Sequence, residues 1–105
     1  MITVTLHKDV KGLYTGFCIS GHADGYEGNA EYDLICAAVS AISLTIAQGL
    51  KDVLHLAGAF DSKSGFLDVD ISSLQNEKSQ VLIETMVHGL KSIQEQYPDK
   101  LKFNK

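Results

Sequence analysis

Residues 33–56 read DLICAAVSAISLTIAQGLKDVLHL, and this stretch decides the fold because it predicts one long helix at the centre of the chain. Asp33 is a favoured N-cap residue, and an apolar run begins directly after it. Apolar residues occur on almost every side of the predicted helix, so we expect it to be buried on most sides. Its many small residues favour close packing against a sheet or a second copy of itself: Ala37, Ala38, Ser40, Ala41, Ser43 and Ala47.

The apolar part of this helix raises the question of a membrane. Residues 34–50 are slightly short for a span, which needs about 20 apolar residues, and they include Ser43, Thr45 and Gln48. We therefore expect a helix in the core of a soluble protein and no membrane partner.

Alternating patterns on both sides of the helix predict strands. Before it, Ile2, Val4 and Leu6 alternate with polar residues, and a second alternating run over residues 13–20 follows a turn at residues 9–12. After it, residues 58–71 predict a second hairpin whose turn occupies residues 61–65. The sequence before the helix and the sequence after it therefore each predict one two-stranded unit.

A second helix is predicted over residues 76–96, followed by a short strand. The helix carries an apolar stripe at steps of three and four, made of Leu82, Met86, Leu90, Ile93 and Tyr97. Pro98 ends it, and Leu101 and Phe103 then form a strand flanked by lysines, which favours a sheet edge. The order ββαββαβ predicts one α+β domain over residues 1–105, with two helices on a mainly antiparallel sheet.

Charge and the first residues of the chain limit the classes of function. The 105 residues carry a formal net charge of −4, and a basic excess typical of nucleic-acid binding is absent. We therefore expect no direct nucleic-acid partner. Met1-Ile2-Thr3-Val4 contains no basic leader, so we expect a cytoplasmic location, where Cys18 and Cys36 stay reduced.

Cys36 and His22 are the predicted catalytic pair. Cys36 lies three residues after the predicted cap, where unpaired N–H groups and the helix dipole favour a thiolate. His22 lies where the second strand opens into a glycine-rich segment, and an imidazole accepts a thiol proton near neutral pH. The alternative readings are a small buried apolar Cys36 and an exposed loop His22 with no role.

The residues between this pair are predicted to form a mobile loop over residues 21–32. It carries acidic residues without any Lys or Arg, which favours either a solvated loop or a loop that attracts a basic peptide. Asp33 either caps the helix or orients His22. The residues assigned provisionally to substrate contact are Gly21, Asp24, Glu27, Glu31 and Ser40.

A metal site and a phosphate site are both disfavoured. Cys18, His22, Asp24 and Cys36 do not have the spacing of a structural zinc site, and the acidic loop lacks the Gly-Lys-Ser/Thr ending of a phosphate-binding loop. We expect no metal and no cofactor.

Two short motifs resemble the ribosomal-processing cysteine protease family, called Prp. They are Gly21-His22-Ala23 with the following glycine-rich segment, and residues 33–40, which read DLICAAVS. The resemblance extends to the opening strand, the two-hairpin layout and the Tyr97-Pro98 segment.

The resemblance implies a function more specific than the residues alone do. It implies a Cys36–His22 dyad that removes a short N-terminal extension from large-subunit ribosomal protein twenty-seven. It also implies cleavage after a hydrophobic, aromatic-containing motif with basic residues beyond the cut, a homodimer, and a loop that covers the substrate. The alternative is a non-catalytic homodimeric binding module associated with the ribosome.

Overall fold

The computed structural model describes residues 1–22, 30–72 and 74–104, and for residues 30–33 it describes the backbone alone. The elements in chain order are β1 (Ile2–Lys8), β2 (Tyr14–Ser20), α1 (Ala30–Gln48), β3 (Ala59–Lys63), β4 (Phe66–Asp70), α2 (Glu77–Gln96) and β5 (Leu101–Asn104). A π-helical turn, Gly49–Val53, extends α1. The predicted α+β class and the order ββαββαβ are confirmed.

The five strands form one sheet in the order β3-β4-β2-β1-β5. The pairs β1–β2, β2–β4 and β3–β4 are antiparallel, and β1–β5 is parallel. β5 therefore lies at one edge of the sheet, as its lysine-flanked sequence predicts.

One face of the sheet carries the core. Cross-strand pairs such as Val4–Ile19 and Phe17–Val69 place buried side chains on this inner face, where buried residues of both helices join them in one cluster. The opposite face presents Thr5, Cys18 and Asp68 in one row. Burying apolar side chains on one face alone explains the period-two pattern of the strands.

The two hairpins differ locally from their sequence predictions. A bulge between His7 and Lys8 shifts the register, so that Tyr14 is buried while Leu13 is 40% exposed. In a regular strand over residues 13–20, Leu13 would share a face with Phe17, but the bulge changes the alternation at that point. The predicted turn over residues 61–65 is also wrong, because β3 continues to Lys63 and the turn has two residues, Ser64 and Gly65.

The second helix begins after a strong capping motif. Asn76 accepts a hydrogen bond from the backbone N–H of Ser79, and the Ser79 hydroxyl accepts one from the N–H of Asn76. The predicted stripe is confirmed at Met86 and Leu90, which are buried, and Ile83 and Val87 are buried beside them.

The first helix is less buried than its sequence predicts. Within the window Leu34–Val53, 28% of the residues are buried, and Leu34 is 68% exposed. The prediction of burial on most sides is wrong for the single chain, because α1 packs against the sheet and α2 and turns its remaining surface outward. The window is long and apolar enough to cross a bilayer, a property that core helices of soluble proteins share.

Candidate active site

A surface groove lies where the end of β2, the side of α1 and the β3–β4 turn meet. Its volume is about 420 Å³. Both predicted catalytic residues line it, and so do Gly21 and Ser40. The complete lining is Ile2, Ile19, Gly21, His22, Cys36, Ala37, Val39, Ser40, Ser43, Leu44, Ser62, Lys63, Ser64, Gly65, Phe66 and Leu67. The groove therefore joins three parts of the chain that are distant in sequence.

Cys36 reaches the groove from α1. It is half-buried and packs against the core, between the buried residues Ile35 and Val39 in sequence. Ser40 follows one helical turn later and is exposed along the same groove. The side of α1 thus presents a thiol and a hydroxyl one turn apart, which suits contact with an extended peptide.

The structure corrects the predicted position of Cys36 in its helix. α1 begins at Ala30, so Asp33 lies inside the first turn and is not the N-cap. Cys36 is then the seventh helical residue, beyond the four N–H groups that lack helical partners and beyond the first turn, where the dipole acts most strongly. Activation of the thiol by the helix end is therefore weaker than the sequence suggests, and a neighbouring base gains importance.

His22 reaches the groove from the segment that follows β2. Its side chain is exposed, and its imidazole contacts Gly65 in the β3–β4 turn. Its carbonyl accepts a hydrogen bond of 2.7 Å from the Met1 nitrogen, and the Gly21 N–H donates one of 2.9 Å to the Gly65 carbonyl. The backbone on both sides of the imidazole is therefore anchored, to Met1 and to the β3–β4 turn.

The acidic residues predicted between His22 and Cys36 fall mostly outside the described part of the chain. Asp24 and Glu27 belong to residues 23–29, about which the structure says nothing. Glu31 and Asp33 lie in the first turn of α1, and their side chains are also outside the description. The prediction of a loop over residues 21–32 is wrong for residues 30–32, which are helical, and an orienting role of Asp33 stays a prediction.

The second cysteine is separated from the groove by the sheet. Cys18 lies on the outer face of β2, opposite Thr5 of β1 and Asp68 of β4. Neither cysteine forms a disulfide within the described residues. Burial and the Asp68 carboxylate raise the pKa of the Cys18 thiol. Within the described residues, no group of three or more His, Cys, Asp or Glu side chains is arranged to hold a metal ion.

The β3–β4 turn is the part of the site that sequence reasoning missed. The sequence marks residues 61–65 only as a turn, whereas Ser62, Lys63, Ser64 and Gly65 all line the groove. The Lys63 ammonium lies 5.2 Å from the centre of the Phe66 ring, at the end of this hairpin. The sequence does mark Gly65 as a glycine within a predicted hairpin. Only the fold shows that this glycine lies against the His22 imidazole.

Comparisons with known proteins show which family and which solved structures this chain resembles. Residues 1–102 match the family described as cysteine protease Prp. The ribosomal processing cysteine protease Prp of Staphylococcus aureus strain Mu50 is 26% identical over 109 residues, covering 99% of this chain and 98% of the relative.

Two solved structures share the fold. One is the essential ribosomal processing protease Prp from S. aureus in complex with a covalently linked product peptide, at 25% identity and a TM-score of 0.85, with 99% of this chain and 98% of that chain covered. The other is the protein SMU.848 from Streptococcus mutans, at 26% identity and a TM-score of 0.81, with 99% and 92% covered.

Proposed function

Because this chain belongs to the cysteine protease Prp family, we propose that it removes a short N-terminal extension from large-subunit ribosomal protein twenty-seven, with Cys36 as nucleophile and His22 as general base. The family resemblance read from the two motifs is confirmed, and the chain is a cysteine protease, a hydrolase. A relative named for ribosomal processing, solved with a linked product peptide, supports a peptide of a ribosomal protein as the substrate.

One observation carries the proposal: Cys36 and His22, from separate elements, line the same groove. A thiol and an imidazole are the nucleophile and the base that nucleophilic catalysis uses, and their presence in one groove supports these two roles. Neither a buried structural cysteine nor an exposed histidine without a role accounts for this convergence.

The proposed reaction is acyl transfer. His22 takes the proton of Cys36 Sγ, and the sulfur attacks the scissile carbonyl to form a tetrahedral intermediate, whose oxyanion needs hydrogen-bond donors beside the sulfur. His22 then gives the proton to the leaving amine as the C–N bond breaks. Water, deprotonated by His22, attacks the thioester, and the thiol and a carboxylate are released.

The lining of the groove fits a hydrophobic recognition motif. Ile2, Ile19 and Leu67 come from the inner face of the sheet, and Leu44 comes from α1. Pockets of this kind take apolar and aromatic side chains and use a few polar groups to orient them. We expect the side chains that precede the cut to lie here.

The acidic residues between the pair supply a second recognition feature. Asp24, Glu27 and Glu31 favour basic residues beyond the cut. Replacing the three by Asn and Gln should raise KM at low salt, and the effect should shrink as salt screens the charges. Asp52→Asn, at the far end of α1, is the matched control. An unchanged KM at low salt would exclude this role.

The exposed surface of α1 supports a homodimer. Leu34 is 68% exposed, and the same helix exposes Ala37, Ala38 and Ala41. A second copy packed there would cover an apolar surface that water otherwise contacts. Leu34→Asp should therefore convert a dimer to a monomer in light scattering, whereas Val81→Asp, at a residue 64% exposed on α2, should not. A monomeric mass for the wild-type chain at micromolar concentration would refute the dimer.

We place the enzyme in the cytoplasm, where ribosomal proteins are made and thiols stay reduced. Cell fractionation would test this, and recovery of the protein outside the cytoplasm would refute it.

A peptide assay tests the function directly. The wild-type chain, Cys36→Ala and His22→Ala are each incubated with a peptide spanning the N-terminal extension, and products are read by mass spectrometry. Cleavage by the wild-type chain alone is expected. Binding by all three without cleavage by any would instead favour a non-catalytic binding module.

A further inference from the structure

We propose that Gly65, in the turn between β3 and β4, is a positioning residue for His22, because the missing side chain leaves the space that the imidazole occupies. The inference rests on the proposed role of His22 as general base. It assigns a function to a turn that lies more than 40 positions away from His22 in the sequence.

The contact between the two residues is closer than a side chain at position 65 would permit. A Cβ atom at residue 65 would lie 2.5 Å from Nε2, 2.8 Å from Cε1 and 3.2 Å from Cδ2 of His22. Carbon atoms in contact are separated by about 3.5–4.0 Å. Any other residue would therefore push the ring away by roughly 1 Å, on the side of the ring that carries Nε2.

The same turn also holds the backbone of this segment. The Gly65 carbonyl accepts a hydrogen bond from the Gly21 N–H, and the Met1 nitrogen donates to the carbonyl of His22. Because the backbone is tied at both points, it does not shift freely to absorb a displaced ring. The imidazole would instead rotate or move away from residue 65.

Such a displacement affects the reaction more than the binding of substrate. The proton transfer depends on the position of the ring, and a misplacement of about 1 Å can lower a rate by up to about 100-fold. The apolar lining from Ile19, Leu44 and Leu67 is unchanged. We therefore expect Gly65→Ala to lower kcat by about 10–100-fold and to change KM less than threefold.

Backbone strain must be separated from the collision, because Gly65 has a φ of +70°. Gly12→Ala is the matched control: Gly12 has a φ of +84°, and a Cβ atom there would meet nothing within 4 Å. Gly65→Asn is the second variant, because Asn tolerates positive φ better than Ala does and still carries the colliding Cβ.

The experiment measures kcat, KM, the pH profile of kcat/KM and the thermal unfolding temperature for the wild type and the three variants. If the inference is right, both Gly65 variants lose kcat at temperatures where they are folded, the pH profile of kcat/KM is altered in them, and Gly12→Ala keeps wild-type activity. A wild-type kcat in Gly65→Ala overturns the inference, and so does restored activity in Gly65→Asn. An equal loss of activity in Gly12→Ala also overturns it.

His22→Ala distinguishes failure of this inference from failure of the proposed function. If His22→Ala cleaves the peptide at the wild-type rate, His22 is not the base, and the positioning role falls with it. If His22→Ala is inactive while Gly65→Ala is fully active, the proposed function stands and only the role of Gly65 is refuted.

Discussion

Iodoacetamide should alkylate Cys36 at least tenfold faster than Cys18 at pH 7. The thiolate is the reacting form, and a thiol at the ordinary pKa of 9.0 is only about 1% thiolate at pH 7. Burial on the outer sheet face and the Asp68 carboxylate raise the pKa of Cys18, so its reactive fraction is below that value. Cys36 lines an open groove with His22, which under the proposed mechanism takes its proton.

The assay uses substoichiometric reagent, followed by digestion and mass spectrometry of both cysteine peptides between pH 6 and pH 9. His22→Ala should slow alkylation of Cys36 and leave that of Cys18 unchanged. The rate at Cys18 should rise about tenfold per pH unit between pH 6 and pH 8, because this thiol is almost fully protonated there and its thiolate fraction rises by that factor. Cys18→Ser should keep full protease activity, whereas Cys36→Ser should lose it. Equal rates at the two thiols in the wild type would refute the reasoning, and so would a Cys36 rate that does not depend on His22.

Three further predictions concern stability, each measured by urea unfolding with protease activity as the control. Burial and the hydrogen bond to Glu84 raise the pKa of Tyr14 to about 12, so the folded state prefers the neutral phenol. The contribution of Tyr14 to the free energy of unfolding is therefore fully present below pH 10, and it should fall by up to about 2 kcal/mol from pH 10 to pH 12. Tyr14→Phe should abolish that part of the pH slope, and an unchanged slope would contradict this account. His55 follows the end of the first helix at a φ of 58°, so His55→Gly should stabilise the chain by roughly 0.5–1 kcal/mol and should not lower its stability. Asn76→Ala should cost about 1 kcal/mol because the capping bond to Ser79 is lost, and a change under a few tenths would mean that the cap is not formed in solution.

The sequence predicts most of the fold because its signals are local. The alternation of Ile2 and Val4 and the capping of α2 at Asn76 depend on residues within a few positions of one another. The end of β3 and the start of α1 were predicted less well. Asp33 resembles an N-cap, but the helix begins one turn earlier, at Ala30, and a cap preference of about 1 kcal/mol is small enough for tertiary context to override.

The exposed surface of α1 is a different kind of discrepancy. Its composition is that of a core helix, yet the fold of one chain offers partners to only part of it. A sequence pattern records how much surface is apolar and not which molecule covers it. The same composition therefore fits burial in a core, in a membrane or in a dimer. Only the structure, in which α1 packs on one face of the sheet, shows that the core of a single chain does not cover all of this helix.

The site combines residues with recognisable chemistry and a residue without any. Cys36 and His22 can be found from the sequence because few side chains form a nucleophile and a base, and both occur next to a glycine-rich segment. Gly65 carries no functional group, and its relation to His22 exists only because β4 pairs with β2 in a register that places Phe66 opposite Ser20. That register brings the β3–β4 turn to the end of β2, where a residue without a side chain leaves space for the His22 imidazole. In a chain of 105 residues, too small to enclose a large cavity, a surface groove must be built from such junctions between distant segments. The residues that shape the groove are therefore set by strand pairing, and they stay hidden from any search for reactive side chains.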